Sequence, residues 1–245
     1  MTQQGIVKGD EQQKLSSAGF IVGAILIIVG NIWVTTVGLG NPMEALDKYS
    51  ENIHLLQIVA LLITFGYWAA MIGVVALQRL ISATGTIWVS LGLYFMIMGG
   101  TLWTLGMSLD ITYSNLIANW LIAPDGSKEF ARNLIIIYSP TNGIGRGIFP
   151  MNVMSNWLAF GFLGIGMVRS SIYPRWLGWF GLVLGIIGLP MGVLMTITGR
   201  EAIWNFFTVL SFMTILWFLA LGIWMARKAG KSQVHGEEMR TQSLT

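Results

Sequence analysis

Long runs of apolar residues dominate the chain, and polar residues gather between the runs. A helix that crosses a membrane needs about 20 apolar residues, and six runs are long enough. They are about Ser17–Val37, Leu55–Leu77, Thr84–Leu109, Pro150–Val168, Trp176–Thr198 and Ala202–Ala226. None of them alternates between polar and apolar residues, as the strands of a membrane barrel do. Because only helices and closed barrels satisfy the backbone in lipid, the pattern predicts an all-α, polytopic membrane helix bundle with six transmembrane helices.

The polar stretches outside these runs predict the domain layout. Residues 1–16 form a polar N-terminal segment, residues 17–226 hold the six spans, and residues 227–245 form a polar tail that we expect to be disordered. The longest connection, about residues 110–149, contains "YSNLIANWLIAPDG" and "SKEFARNLIIIYSP", which favour two short helices. Connections of this length tend to be functional or to carry their own structure.

The basic residues predict the orientation of the bundle. With the N-terminus inside, the inner segments hold Lys8, Lys14, Arg79, Arg169, Arg175, Arg227, Lys228, Lys231 and Arg240. The outer segments then hold Lys48, Lys128, Arg132, Arg146 and Arg200. Since lysine and arginine concentrate on the cytoplasmic side, we expect both termini to be cytoplasmic. The expected location is the bacterial or archaeal cytoplasmic membrane.

Composition agrees with this interpretation and excludes some functions. The chain is 54% hydrophobic and only 10% charged, whereas soluble domains are about 25% charged. The net charge of +3 is spread over the membrane flanks, so nothing suggests a surface for nucleic acid. The chain has no cysteine, which excludes disulfides and thiolate chemistry.

Glycines recur at three-, four- and seven-residue intervals in two spans. The positions that we expect to serve helix packing are Gly85, Gly92, Gly99 and Gly106 in the third span and Gly178, Gly181, Gly185, Gly188 and Gly192 in the fifth. Small residues let helices approach closely in lipid, and a seven-residue period specifies a left-handed crossing. The two spans run in the same direction in this topology, so their glycine faces could meet. The alternative is a flat face against a bound lipid, pigment or quinone.

Three segments carry a resemblance to a known group of proteins. They are the N-terminal span, "ENIHLLQIVALLITFGYW" and "FGFLGIGMVRSSIYPRWLGWFGLVLGIIG". The last contains an Arg-Ser-x-x-x-Pro-Arg-x-Leu-Gly turn, formed here by Arg169, Ser170, Pro174, Arg175, Leu177 and Gly178. Over about two thirds of its length the chain resembles a family of bacterial multi-span membrane proteins catalogued only as a domain of unknown function. The outer loop departs from that family. The resemblance implies no known activity, so no functional residue is carried over from it.

Few residues inside the spans could carry chemistry. No acidic, basic or histidine side chain lies deep in a predicted span, which argues against proton pumps and charge-coupled transport. Asn152 and Asn156 share one face of the fourth span, where they could line a cavity. Arg146 lies between glycines in "TNGIGRGIFP" and could bind an anionic headgroup. These three residues are the candidate ligand-binding set.

An acidic segment before the second span is the candidate metal site. In "NPMEALDKYSENIHLLQ", Asp47, Glu51 and His54 follow at steps of four and three, so they share one face if a helix begins near Pro42 and merges into the second span. The Glu-x-x-His spacing is used in di-iron helix bundles, but those bundles take ligands from other helices as well. We therefore expect these side chains to face water or headgroups without a tightly bound metal. The alternative is a metal site.

Taken together, these patterns favour a protein without a catalytic set. The leading hypothesis is an accessory or structural subunit or a lipid-binding module, with membrane lipids, other membrane subunits or a second copy as partners. We predict no cofactor and no nucleic acid. Two alternatives remain open, a carrier for a neutral or hydrophobic solute and a membrane metalloenzyme that uses the outer acidic face.

Overall fold

Seven α-helices make up most of the described chain. The computed structural model describes residues 3–37, 50–81, 83–139, 143–170, 172–199 and 201–242, and it describes side chains within 11–33, 50–81, 86–139, 143–170, 172–199 and 202–229. The helices are α1 (Gln3–Val37), α2 (Ile53–Leu80), α3 (Ala83–Leu121), α4 (Asp125–Ile137), α5 (Gly145–Arg169), α6 (Arg175–Thr198) and α7 (Trp204–Gln242). A short 3-10 turn at Glu201–Ile203 precedes α7.

Every helix except α4 contains a segment long and apolar enough to cross a membrane. These segments are Glu11–Trp33, Ile53–Leu80, Thr86–Leu121, Gly145–Arg169, Arg175–Thr198 and Trp204–Ala229. The predicted all-helical fold with six apolar spans is therefore confirmed for the described residues. These six helices identify the chain as a multi-pass membrane protein.

The six spanning helices form a ring in which neighbours run in opposite directions. Helix α1 packs against α2 and α7, and the ring continues from α2 through α3, α5 and α6 to α7. Large aromatic side chains pack inside this ring. The ring of Phe218 lies 5.5 Å from that of Phe20 on α1 and 5.5 Å from that of Phe160 on α5. Side chains of α1, α5 and α7 therefore meet inside the ring.

The connection between the third and fourth spans differs from the predicted loop. The segment that suggested a separate short helix continues α3, which has 39 residues and is therefore about 58 Å long. Tyr113 and Ile117 in this extension are buried against Ile135 of α4. Continuing the helix keeps the backbone hydrogen-bonded and buries two large side chains, so it is favoured over a break.

The ends of three other helices also differ from the predicted boundaries. Helix α5 begins at Gly145 and contains Pro150, although the sequence predicted a span that starts at the proline. Helix α1 begins at Gln3, inside the segment 1–16 that we predicted to be a polar end outside the first span. Helix α7 runs through Gln242, inside the tail that we expected to be disordered. The residues after 226 include alanine, arginine, lysine, glutamate and methionine, which have high helix propensity.

Glycines of both series pack on α5, and none of those described packs on the other series. At Gly185 of α6, an added Cβ would lie 2.5 Å from the Cα of Gly161 on α5. At Gly92 of α3, it would lie 2.8 Å from Cγ of Leu163 on α5. Helices α3 and α6, whose common direction allowed their glycine faces to meet, are instead separated by α5 in the ring. The order of helices in a ring depends on tertiary packing, which a periodic pattern does not encode.

The remaining glycines of the predicted set fall into three groups. An added Cβ would meet Val168 at Gly178, Trp217 at Gly181, Trp157 at Gly188, Met154 at Gly192 and Asn156 at Gly99, all within 3 Å. Around Gly106 no atom of the described residues lies within 4 Å. Gly85 belongs to α3, but its surroundings fall outside the residues with described side chains. Gly106 therefore offers a control position for the others.

Candidate functional site

A buried polar cluster joins α2, α3 and α5. The side-chain amide of Asn156 donates to Oδ1 of Asn152 at 3.1 Å, and the amide of Asn152 donates to the carbonyl oxygen of Gly99 at 2.9 Å. The Tyr67 hydroxyl donates to Oδ1 of Asn156. All three side chains are less than a tenth exposed. We call Tyr67, Asn152 and Asn156 the polar cluster, and it connects three helices inside the bundle.

Local sequence explains how the polar cluster forms. Asn152 and Asn156 are four residues apart on α5, so their side chains lie one above the other on a single face. Across from them, an added Cβ at Gly99 would lie 2.4 Å from Oδ1 of Asn156, so only glycine leaves room for that amide. Tyr67 lies halfway along α2, and its ring therefore reaches the cluster at mid-membrane depth.

An aromatic layer borders the polar cluster. The ring of Trp103 stacks on that of Tyr67, with 6.2 Å between centroids, and lies 6.4 Å from the ring of Phe149. Phe149 in turn contacts Trp204 and Phe207 of α7 at 6.1 and 5.2 Å. Nε1 of Trp103 is buried and has no acceptor among the described residues. The site therefore presents neutral donors and aromatic faces, which suit a neutral partner rather than a charged one.

The structure brings two of the three candidate ligand-binding residues together. Asn152 and Asn156 adjoin, but their amides bond to each other and to neighbouring helices instead of facing an open space. Arg146 lies apart from them, exposed in the first turn of α5. Its Nη2 atom lies 4.0 Å from the Cβ position of Gly199, at the far end of α6. A role of Arg146 in binding stays a prediction.

The candidate metal ligands do not form a cluster in the described part of the chain. Glu51 and His54 are both exposed. Asn52 between them is not helical, with φ −125° and ψ 23°, so the predicted helix does not run unbroken into α2. Asp47 lies outside the described residues. Within the described ranges, no three histidine or acidic side chains converge as metal ligands would.

We expect the purified protein to carry no stoichiometric divalent metal. Tight sites take three or four protein ligands, and Glu51 and His54 supply two that are open to water. Elemental analysis by plasma mass spectrometry checks this expectation. A metal at one equivalent that disappears in Glu51→Ala or His54→Ala, but remains in the control variant Glu129→Ala, would establish the metal site instead.

One end of the bundle is basic. The described side chains there include Lys14, Arg79, Arg169, Arg175, Arg227 and Lys228, against the single acid Glu11. The Arg169 guanidinium lies 5.0 Å above the ring of Trp88, and the Lys228 ammonium lies 5.2 Å above that of Trp224. Burial raises the pKa of Tyr173, which lies in the turn between α5 and α6. Basic and aromatic side chains at one level are typical of a membrane interface.

A groove on the lipid-facing surface runs from this basic end toward the middle of the bundle. Helix α2 forms its floor with residues from Trp68 to Arg79, and α1 and α3 form its walls with Leu15 and Ile97. Its volume is about 360 Å³, within the range of small-ligand pockets. Apolar side chains line it except at the basic end, where Gln12 and Arg79 lie. We call it the α1–α3 groove.

Comparison of the chain with protein-family models, curated proteins and solved structures found no match. The resemblance to an uncharacterised family therefore stays a prediction.

The sequence analysis missed Tyr67, although the sequence contains a signal for it. Tyrosines of membrane proteins concentrate at the interfaces, so a tyrosine in the middle of a span indicates a buried partner for its hydroxyl. The α1–α3 groove left no comparable signal.

Proposed function

We propose that this protein works by binding and assembly in the membrane, as an accessory subunit or a lipid-binding module, and not as an enzyme or a carrier. The observation that carries the proposal is the use of polar side chains inside the spans. The hydroxyl of Ser16 donates to the Gly73 carbonyl at 2.6 Å, and Nε1 of Trp217 donates to the Leu177 carbonyl at 2.9 Å. Together with the polar cluster, these bonds hold helices to one another.

Aromatic packing between α5 and α7 supports the same proposal. The rings of Phe160 and Trp217 lie 5.9 Å apart, and those of Phe149 and Phe207 lie 5.2 Å apart. A carrier for a neutral solute needs a polar path between such helices, and here large apolar rings occupy the space. The surfaces left for function are the lipid-facing sides of the ring and the outer hairpin of α3 and α4.

The orientation with both termini in the cytoplasm belongs to the proposal as well. It rests on the basic end, whose basic residues come from α1, α2, α5, α6 and α7, since basic residues concentrate on the cytoplasmic side. The proposed location is a bacterial or archaeal cytoplasmic membrane. In this orientation the hairpin of α3 and α4 lies outside.

Single cysteines test this orientation without background, because the chain has none of its own. We expect Asp125→Cys, at the start of α4, to react with a membrane-impermeant maleimide in intact cells. Arg227→Cys, at the basic end, is expected to react only after the membrane is opened. The opposite pattern would place the termini outside.

A carrier for a neutral or hydrophobic solute is the second candidate. The unpartnered Nε1 of Trp103 beside the polar cluster favours it, since a buried indole N–H usually has an acceptor. A solute with a hydroxyl or carbonyl oxygen would supply one. The aromatic layer that covers this position has to open before a solute can enter.

Purification from native membranes and reconstitution into liposomes separate the two candidates. The proposed function predicts that a lipid or a membrane protein copurifies at fixed stoichiometry, and that uptake of neutral solutes stays at the level of protein-free liposomes. Liposomes with the Asn156→Leu variant, at a temperature at which thermal melts show it to be folded, are the matched control. Uptake that exceeds the protein-free level and disappears in this variant would favour the carrier. Catalytic turnover by the monomeric protein alone would exclude both.

A further inference from the structure

We propose that the α1–α3 groove binds one acyl chain of an anionic phospholipid from the leaflet at the basic end. This inference rests on the proposed binding function and adds the site and the ligand class. The groove faces the hydrocarbon region, since Trp68, Ile72 and Ile97 beside it are about half exposed on the outside of the ring. Its occupant in a membrane is therefore a lipid.

The length of the groove fits one leaflet. Trp68 and Arg79 are eleven residues apart on α2, which corresponds to about 16 Å along the helix. The hydrocarbon core of a bilayer is about 30 Å thick, so one leaflet takes up about 15 Å. A chain that follows the groove from Arg79 therefore ends near Trp68 at the middle of the membrane, where the lining is apolar.

The charge at the mouth of the groove selects the headgroup. Arg79 is exposed there, and no ion pair is found for it among the described side chains. Gln12 adds a neutral donor beside it. A phosphate at this position accepts hydrogen bonds from the guanidinium. A zwitterionic headgroup carries its own positive charge and gains less.

Native mass spectrometry of the full-length protein, titrated with phosphatidylglycerol or with phosphatidylcholine of the same chains, tests the site. We expect one phosphatidylglycerol molecule to bind tightly and phosphatidylcholine to bind more weakly. Arg79→Gln should weaken the binding of phosphatidylglycerol about fivefold and remove most of the preference for it over phosphatidylcholine. Arg227→Gln removes a charge from the same end outside the groove, and it should leave the tight site unchanged.

Two variants that fill the groove test the acyl chain. Val75→Phe on the floor and Ile97→Trp on the wall should each remove the tight site for both lipids, and Val183→Phe on the lipid-facing side of α6 should not. The wall variant covers the case in which Val75→Phe does not fold, which thermal melts will show. Equal binding of both lipids that Arg79→Gln leaves unchanged would overturn the proposal. Tight binding that persists in both filling variants would also overturn it. So would a dimer that these variants dissociate, because a second copy of the chain would then occupy the groove. The proposed function is tested by solute uptake and catalytic turnover, and none of these lipid-binding results depends on either. The two proposals can therefore fail separately.

Discussion

Replacement of Gly185 by leucine is expected to prevent assembly of the bundle or to lower its melting temperature by at least about 6 °C. An added Cβ at this position lies 2.5 Å from the backbone of Gly161, and a backbone cannot move away as a flexible side chain can. The leucine must therefore push α6 from α5 along their shared contact. Separated helices lose many small van der Waals contacts, which together are large. Thermal melts in one detergent measure the effect.

Alanine substitutions at two glycines supply the matched control. Gly185→Ala should destabilise the protein, because even a methyl group overlaps Gly161. Gly106→Ala should leave the stability unchanged or raise it by up to about 1 kcal/mol. No atom in the described part of the chain lies within 4 Å of that position, and alanine favours a helix. Equal melting temperatures for the two variants would show that the α5–α6 contact does not depend on glycine at 185.

Replacement of Asn156 by leucine is expected to lower the melting temperature by about 4–12 °C. The variant keeps the size of the side chain but removes its bonds to Tyr67 and Asn152. The Tyr67 hydroxyl and the Asn152 oxygen then lie buried without their present partner. Of the two bonds, only that to Tyr67 joins two helices, and such a bond contributes about 0.6–1.7 kcal/mol. A buried polar atom left without a partner costs about 1–3 kcal/mol more, and we therefore expect a loss of about 2–3 kcal/mol.

Two comparisons separate the polar cluster from general effects of losing an asparagine. Asn31→Leu changes an exposed amide that bonds only within α1, to the Ile27 carbonyl, and should have little effect on the melting temperature. Tyr67→Phe removes a single hydroxyl and should cost less than Asn156→Leu. If all three variants melt like the unaltered protein, the polar cluster does not hold the helices together.

The sequence predicted the positions of the spans well, but it predicted poorly which spans pack against one another. Apolar length alone identifies a membrane helix, because the backbone has no other partner in lipid. The end of α3 was missed because the apolar run ends at Leu109, whereas the polar residues that follow are compatible with a helix that leaves the membrane. The partner of each glycine face depends on the order of helices in the ring, which the local sequence does not determine.

The candidate site was predicted in part for the same reason. The spacing of Asn152 and Asn156 placed both on one face of a helix, and the structure has them side by side. Nothing in that spacing indicated Tyr67 or Gly99, since they come from α2 and α3. The α1–α3 groove combines three helices and has no sequence signature.

Water access to the middle of α5 tests the central claim, that the interior of the bundle is packed and holds no path for a solute. Ser155→Cys replaces a buried hydroxyl between Asn152 and Asn156 by a thiol of similar size. Ser127→Cys places the same group on the exposed surface of α4. In opened membrane vesicles, a water-soluble maleimide is expected to label position 127 fully and position 155 only after denaturation. Rapid labelling of position 155 in the folded protein would contradict the packed interior and favour the carrier.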